Sequence, residues 1–360
     1  MPLILTVVGA RPQFIKAAPV SQALRKARLD ELLVHTGQHY DDNMSGIFFR
    51  DMGIPNPDIN LNSGSGSHAY QTARMLTGLE DLMLMHRPDC VLVYGDTNST
   101  LAGALAAVKL GIPVAHIEAG LRSYNRTMPE EHNRVLTDHS ADLLFCPTQT
   151  AVDLLAREGL TDQVHFVGDT MYDALRQFSA VAREHSRILD TLNVTPGGYL
   201  LMTIHRPYNT DVPENMTAIL NTLAECGETV IFPIHPRTHE RLPNVRLAPS
   251  VRLINPVGYL DMLWLEQNAR KILTDSGGIQ KEAYLLGVPC ITLRPETEWG
   301  ETLRDGWNIL TSADPNRIAA ALEAPRPKTA PLPVFGDGHA AEQITAVLRT
   351  YLIGDNVRNR

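Results

Sequence analysis

The chain has 360 residues, of which 44% are hydrophobic and 20% charged, with a net charge of -8 at pH 7. This composition is typical of a globular protein, and the length predicts two domains instead of one core. The acidic balance excludes a general nucleic-acid or anionic-membrane surface, so any phosphate site must be a local patch.

The start of the chain and its cysteines indicate a compartment. Residues 1–9 are apolar but have no basic leader or cleavage site, so they predict a first strand and not a signal peptide. No apolar run is long enough to span a bilayer, and the four cysteines are scattered without a CxxC pair. We therefore expect a cytoplasmic protein with reduced thiols.

Strand-like apolar runs alternate with helix-like segments along the chain. Predicted strands cover residues 3–8, 32–36, 90–94, 114–117, 143–146 and 164–167, and then 199–204, 230–234, 251–254, 271–273 and 290–293. Predicted helices cover residues 14–28, 70–86, 100–110, 131–139 and 151–158, and then 214–226, 259–268 and 279–286. This alternation predicts an α/β protein with parallel sheets covered by helices on both faces.

A turn near Gly168 marks the predicted boundary between two Rossmann-like domains. The N-terminal domain covers residues 1–168 and the C-terminal domain residues 169–339, while the helix over residues 340–352 packs back on the first. Two such domains facing across a cleft bind ligands at the carboxyl ends of their strands.

Charged side chains follow several predicted strands of the first half. Arg11 and Lys16 lie just after the first strand, where they suit an anion. Asp96 follows a later strand, in a position that is also typical of a helix N-cap. Glu118 follows the next strand, and Glu130 lies in the first turn of a helix, where capping also favours acidic residues. Three acidic residues at one sheet edge predict acid–base chemistry.

A polar turn with two glycines in the second half indicates a phosphate site. Ser276, Gly277 and Gly278 lie between an apolar strand and a helix, so the backbone can approach a ligand and direct N–H groups at it. Glu282 lies about one turn into the helix, where a carboxylate can accept both hydroxyls of a ribose. Taken alone, the segment is equally typical of an ordinary strand–turn–helix.

Histidine and arginine follow two other strands of the second half. His205 and Arg206 end one strand, and His235 and Arg237 follow the next, as candidates for binding at the same sheet edge. His235 and His239 lack the glutamate of an HExxH motif, so no metal site is expected. A G-x-G-x-x-A match at residues 64–69 follows polar residues and not a buried strand, which predicts a loop and no NAD cofactor.

Six short motifs occur in order along the chain. They are Gly-Ala-Arg-Pro at residues 9–12 with Lys16, Tyr-Gly-Asp-Thr at 94–97, His-Ile-Glu-Ala-Gly-Leu-Arg at 116–122, Pro-Glu-Glu with Asn-Arg at 129–134, His-Arg at 205–206, and Thr-Asp-Ser-Gly-Gly-Ile-Gln at 274–280. Each is weak alone, but the ordered set resembles the non-hydrolysing UDP-N-acetylglucosamine 2-epimerase family over nearly the whole chain.

The resemblance implies a glycosyltransferase-B-type architecture in which the C-terminal domain, residues 169–339, binds UDP. It implies a homodimer as well, and a role in polysaccharide biosynthesis. It also implies reversible inversion at C2 of a UDP-linked acetamido sugar, without a cofactor. The residues that it implies as catalytic are Asp96, Glu118, Glu130 and His205. Those that it implies as nucleotide-sugar contacts are Arg11, Lys16, Arg134, Ser276, Gly277, Gly278 and Glu282.

The family's chemistry suits these residue types. The hydrogen on C2 is barely acidic, and the family eliminates UDP to form an unsaturated sugar and then re-adds it. Cations and helix N–H groups would hold the departing diphosphate, and clustered carboxylates would supply acid and base groups with separated pKa values. Which carboxylate removes the proton stays open.

Some positions depart from the family's commoner pattern, and three alternatives to the reaction on UDP-N-acetylglucosamine stay open. Trp299, Tyr40 and Asp41 depart from the family's commoner bacterial pattern, which puts allosteric activation by a second UDP-sugar in doubt. The same features resemble the branch that acts on UDP-2,3-diacetamido-2,3-dideoxyglucuronate, whose carboxylate could bind Arg206, Arg237 or Arg294. A glycosyltransferase of the same architecture and a non-catalytic nucleotide-sugar sensor are the other two.

Overall fold

A computed structural model describes residues 1–38, 56–234, 236–242 and 247–354, without the side chains of Arg11, Pro236 and Arg237. The predictions for Tyr40, Asp41 and His235 therefore fall outside the described residues. The chain forms two compact units, one from Met1–Arg176 with Pro333–Arg360 and the other from Gln177–Leu332. None of the described helices is long and apolar enough to cross a membrane.

The first unit contains a sheet whose strands alternate with helices. The strands are β1 (Leu3–Val8), β2 (Asp30–His35), β3 (Ile59–Asn60), β4 (Cys90–Tyr94), β5 (Val114–Ile117), β6 (Leu143–Cys146) and β7 (Val164–Phe166). The helices between them are α1 (Arg11–Lys26), α2 (His68–His86), α3 (Asn98–Lys109), α4 (Pro129–Asp138) and α5 (Gln149–Arg157). The strand order is β3-β2-β1-β4-β5-β6-β7, and the paired strands are parallel.

The second unit repeats this architecture. The chain enters it through α6 (Thr170–His185) and α7 (Ile188–Leu192). Its strands are β8 (Leu200–Thr203), β9 (Val230–Pro233), β10 (Val251–Ile254), β11 (Lys271–Thr274), β12 (Cys290–Thr292) and β13 (Asn308–Leu310). The order β10-β9-β8-β11-β12-β13 is again parallel and is that of a dinucleotide-binding sheet.

The helices of the second unit flank these strands. They are α8 (Pro207–Thr210), α9 (Pro213–Cys226), α10 (Pro236–Glu240), α11 (Tyr259–Asn268), α12 (Gly277–Leu286) and α13 (Pro315–Glu323), with a 3-10 helix over Gly300–Gly306. The α/β class with parallel sheets is confirmed. The sequence did not predict the two short edge strands β3 and β13. A strand of two or three residues is too short to show an alternation of apolar and polar residues.

The central strands are largely apolar, since helices cover both faces of such parallel sheets. All five residues of β4 are buried. Small residues of α3, among them Ala102 and Ala106, lie in the same core as Val7 and Val93. This close packing brings the N-terminus of α3 near the ends of β1 and β4, where the candidate site lies.

The last helix, α14 (Ala340–Ile353), belongs to the first unit and packs against α1. Asp173 accepts hydrogen bonds from the amides of Ala340 and Ala341, at 3.1 and 2.7 Å, and so satisfies two donors at the start of α14. Burial raises the pKa of Asp173 to about 6, although these two amides act in the opposite direction.

The G-x-G-x-x-A match lies where β3 leads into α2. Ser67 is the N-cap of α2 and accepts from the amide of Tyr70 at 3.4 Å. The preceding strand has two residues at the sheet edge, away from the reversal of strand order at β1 and β4. The position is therefore not that of a dinucleotide fingerprint, which follows the first central strand.

Candidate active site

The ends of β1 and β4 are adjacent at the point where the strand order of the first unit reverses. Ligands of doubly wound folds bind at such a point, beyond the carboxyl ends of the strands. Buried Gln13 joins the two ends. Its Oε1 accepts from the amides of Gly9 and Ala10 at 2.8 and 3.0 Å, and its Nε2 donates to the Tyr94 carbonyl at 2.8 Å. The two loops therefore have one fixed relation.

Asp96 lies on the loop after β4, and its carboxylate forms an ion pair with Arg134 of α4. Arg134 also binds Glu131 at 2.9 Å, and Asn133 donates to the carbonyl of Asp96 at 3.0 Å. The N-cap of α3 is Thr97, so the alternative role of Asp96 as a cap is wrong. Helix α4 instead holds this carboxylate, whose side chain is 31% exposed.

Glu118 follows β5 and forms a buried ion pair with Lys16 of α1. Its φ of 72° lies in the left-handed region, which residues other than glycine rarely adopt. Residues in this strained conformation cluster at functional sites. Gly95 faces this pair, because a Cβ there would lie 3.0 Å from Glu118 Oε2. The structure therefore brings Glu118 and Lys16 next to the loop that carries Asp96.

His116 supports this loop from within the core. Its Nδ1 lies 2.7 Å from Asp138, and its Nε2 lies 2.7 Å from the carbonyl of Gly95. Asp138 also binds Arg122 at 2.6 Å. Arg122 in turn donates to Glu158, and this hydrogen bond lowers the pKa of the Glu158 carboxyl. The loop after β4 is thus attached to β5 and α4 through a buried hydrogen-bond network.

Glu130 and Glu131 both lie in the first turn of α4, but their surroundings differ. Glu131 is buried and accepts from the amides of Ser123 and Tyr124 at 2.9 and 2.8 Å. Burial opposes its ionisation, yet these hydrogen bonds and Arg134 lower the pKa of Glu131. Glu130 is half-buried, and no hydrogen bond joins its side chain to the part of the chain that the structure describes. Glu131 therefore anchors the turn, whereas Glu130 is available to a ligand.

In the second unit, β8 and β11 are adjacent at the corresponding reversal of strand order. Asp275, just after β11, is fully buried. Its carboxylate accepts from the amides of His205 and Arg206, at 3.1 and 3.0 Å. The Nδ1 atom of His205 lies 3.2 Å from Asp275 Oδ1, and half of the imidazole side chain is exposed.

The glycine turn opens α12 in the way that an anion site requires. Ser276 is the N-cap, and Gly277 is the first helical residue. A Cβ on Gly277 would lie 2.5 Å from Glu298 Oε1, so a larger residue there requires the Glu298 carboxylate to shift. At Gly278 the nearest atom would be Ser276 Oγ, at 3.8 Å, so that position is open. There is thus space for a ligand beside the backbone at the first amides of α12, and the helix dipole favours an anion there.

Two further charged side chains lie near the start of α12. Glu282 is buried and accepts from the Tyr259 hydroxyl at 3.2 Å. Arg294 is buried and binds Glu298 at 3.0 Å, while its Nη1 has no hydrogen-bond partner within the described ranges. A carboxylate and a guanidinium are therefore both present next to the proposed phosphate position.

The structure does not describe three of the predicted site groups, the side chains of Arg11 and Arg237 and the whole of His235. Among the described residues, no group of three His, Cys, Asp or Glu side chains could hold a metal ion. Sequence reasoning missed the positioning roles of Gln13, Glu131, Asn133 and Asp275. The signal was their location in or next to the six motifs: Glu131, Asn133 and Asp275 lie inside them, and Gln13 directly follows the first. Their partners are distant in sequence.

Each unit thus has a parallel sheet with polar residues at its reversal point. Ion-paired carboxylates in one unit and a glycine turn opening a helix in the other define a nucleotide-binding α/β enzyme. A family model described as UDP-N-acetylglucosamine 2-epimerase matches residues 22–349. The chain therefore belongs to the UDP-N-acetylglucosamine 2-epimerase family.

Individual relatives agree with the family. A UDP-N-acetylglucosamine 2-epimerase homolog of Methanococcus maripaludis is 51% identical over 96% of this chain and 99% of its own. The UDP-2,3-diacetamido-2,3-dideoxy-D-glucuronate 2-epimerase of Pseudomonas aeruginosa is 47% identical over the same shares. A crystal structure of Methanocaldococcus jannaschii UDP-GlcNAc 2-epimerase with UDP-GlcNAc and UDP is 43% identical, with a TM-score of 0.87 over 97% of this chain and 99% of that one.

These findings confirm the predicted family, fold and isomerase class. A Streptomyces glycosyltransferase in complex with thymidine diphosphate has a TM-score of 0.50 at 17% identity, over 97% of this chain and 96% of that one. At that identity the likeness concerns the fold alone. The glycosyltransferase alternative therefore has no support beyond a shared architecture.

Proposed function

We propose that this protein catalyses the reversible C2 epimerisation of UDP-N-acetylglucosamine to UDP-N-acetylmannosamine by elimination and re-addition of UDP. The observation that carries the proposal is the cluster at the reversal point of the first sheet. Two carboxylates, Asp96 and Glu118, follow neighbouring strands, and each is held by its own cation, Arg134 and Lys16. Family membership supports the same reaction.

The reaction is balanced with groups of this chain. A base removes the C2 proton, its electron pair forms the C1–C2 double bond, and the bond from C1 to the diphosphate oxygen breaks. Re-addition of UDP at C1 and delivery of a proton to the opposite face of C2 complete the inversion. We propose that Asp96, Glu118, Glu130 and His205 take part in proton transfer, without assigning the first base to one of them.

The leaving UDP needs stabilisation of the negative charge that develops on its diphosphate. We propose that the amides at Ser276, Gly277 and Gly278 bind it, since they open a helix beside accessible backbone. Glu282 would accept the ribose hydroxyls. Arg11, Lys16, Arg134, His235 and Arg237 would complete the substrate contacts.

A direct test is exchange of deuterium into C2 when the enzyme is incubated with UDP-N-acetylglucosamine in D2O without an acceptor. We expect deuterium in both epimers and no net release of free sugar. Asp96→Asn and Glu118→Gln should lose exchange by at least about 100-fold while still binding UDP. Absence of exchange in the unmodified protein would contradict the proposal, and UDP binding without exchange would indicate a sensor. Unchanged exchange in both variants would contradict the roles assigned to Asp96 and Glu118.

A second candidate substrate is UDP-2,3-diacetamido-2,3-dideoxyglucuronate. The 47% identity to the Pseudomonas aeruginosa enzyme supports it, and buried Arg294 has a guanidinium nitrogen that could bind the uronate carboxylate. Turnover of the two UDP-sugars, with product stereochemistry read by NMR, separates the candidates. An inert uronate would exclude this branch, and an inert UDP-N-acetylglucosamine would favour it.

We further propose a cytoplasmic homodimer that supplies sugars for polysaccharide biosynthesis. The exposed face of α2 carries Tyr70, Leu84 and Met85, which a second copy could cover. Light scattering of the purified protein tests this: a mass of one chain would contradict the dimer. Leu84→Glu combined with Met85→Glu should reduce the mass to one chain, whereas Val108→Glu on α3 serves as a control.

A further inference from the structure

The carboxylate of Asp275 has an unusual set of partners. It is fully buried at the end of β11, and it accepts from the amides of His205 and Arg206 and from Asn209 Nδ2, each at 3.0–3.2 Å. These donors are neutral groups. The imidazole of His205 also lies near the carboxylate, with Nδ1 at 3.2 Å from Oδ1.

The position of the Asp275 carboxylate favours one of the two neutral tautomers of the His205 imidazole. The Asp275 oxygens accept hydrogen bonds and present lone pairs to the nearby ring nitrogen, so a lone pair on that nitrogen would be repelled. A hydrogen on Nδ1 is therefore favoured, and in that neutral tautomer Nε2 has a lone pair. The half-exposed side chain of His205 lies at the strand-order reversal of the second sheet, whereas Asp275 is inaccessible to solvent.

We propose that Asp275 is a positioning residue: it holds His205 as the Nδ1–H tautomer and makes Nε2 the atom through which His205 acts on the UDP-sugar. The inference rests on the proposed function. A fixed carboxylate behind an imidazole orients the ring and sets its tautomer, as in hydrolase triads. Asp275 reaches the substrate only through His205, and its buried position prevents it from being a proton-transfer group itself.

The first experiment needs no substrate. Two-bond 1H–15N NMR spectra of the labelled protein, recorded where the imidazole is neutral, report the tautomer, and His205→Gln identifies the signal that belongs to His205. We expect Nδ1 to be protonated and Nε2 to be bare. A protonated Nε2 in the unmodified protein would overturn the proposal, even if epimerisation itself is demonstrated.

The second experiment compares a substitution of Asp275 itself with a substitution of its hydrogen-bond partner Asn209. Asp275→Asn can present its amide hydrogens to Nδ1, so we expect the Nε2–H tautomer and a decrease in kcat of about 1,000- to 10,000-fold, with the Kd for UDP changed less than about threefold. Asn209→Leu removes another donor to Asp275 but keeps the contact with His205. It should keep the Nδ1–H tautomer and lose less than about tenfold in kcat.

The readouts separate the positioning role of Asp275 from the proposed epimerase function. Equal losses in the two variants, or an unchanged tautomer in Asp275→Asn, would mean that Asp275 only stabilises the loop, and the proposal would be wrong. If the unmodified enzyme shows no epimerisation, the proposed function fails, while the NMR spectra still decide the tautomer. If Asp275→Asn does not fold, the spectrum of the unmodified protein decides.

Discussion

Lys16 and Glu118 form a buried ion pair, although 102 residues separate them in the chain. Lys16 lies on the helix after β1 and Glu118 on the loop after β5. A buried charge is costly unless its partner remains in place, so each residue requires the other. The same ion pair therefore stabilises the segments after β1 and β5 and holds Glu118, a residue proposed to act in catalysis.

Removing one member of this pair should cost more than removing both. Lys16→Met removes the ammonium group from its ion pair with the buried Glu118 carboxylate, and we expect the free energy of unfolding to fall by about 3–5 kcal/mol. Lys16→Met combined with Glu118→Gln should recover much of that stability but no epimerase activity. Urea unfolding and turnover, measured on both variants, check the prediction. A double variant that is less stable than the single one would contradict it.

Arg134 should not be replaceable by lysine. Its guanidinium binds Asp96 with one nitrogen and Glu131 with the other, and an ammonium cannot reproduce this fork. We expect Arg134→Lys to lower kcat by about 10- to 100-fold, the equivalent of one or two charge-assisted hydrogen bonds. Arg157→Lys, an exposed position in the last turn of α5, is the matched control and should retain the activity of the unmodified enzyme.

The two glycines of the turn should respond oppositely to alanine. Gly277→Ala places a methyl group against Glu298, and we expect a loss of about 1–3 kcal/mol of stability. At Gly278 the methyl group has room, and alanine favours a helix by up to about 1 kcal/mol. Thermal unfolding of the two variants measures the difference. Equal shifts in Tm would show that Glu298 does not crowd Gly277.

Asp173 should make stability depend on pH. Its folded-state pKa of about 6 is above the ordinary value, so the folded state binds more protons and stability falls as pH rises from about 4 to about 6. At low pH, where Asp173 is protonated, its ionisation contributes nothing to the free energy of unfolding, and Asp173→Asn should differ little from the unmodified protein. Above pH ~7 it should gain up to about 3 kcal/mol relative to it. A difference in unfolding free energy that is constant with pH would contradict this.

Much of the fold could be predicted because it is local. The apolar strands and amphipathic helices follow from period and length, and parallel strands bring their carboxyl ends to one edge. Asp96, Glu118 and His205 were therefore identified from their positions after strands. The edge strands β3 and β13 were not, because two or three residues carry too little signal.

The sequence by itself determined the α/β class, the family and the residue types at the strand ends, because each depends on short motifs and local periodicity. Only the tertiary structure decided the partners. The strand order placed Arg134 beside Asp96 from 38 residues away and Asp275 behind His205 from 70 residues away. Such pairings depend on which strands are neighbours and how closely the loops pack, and no local pattern in the chain encodes either.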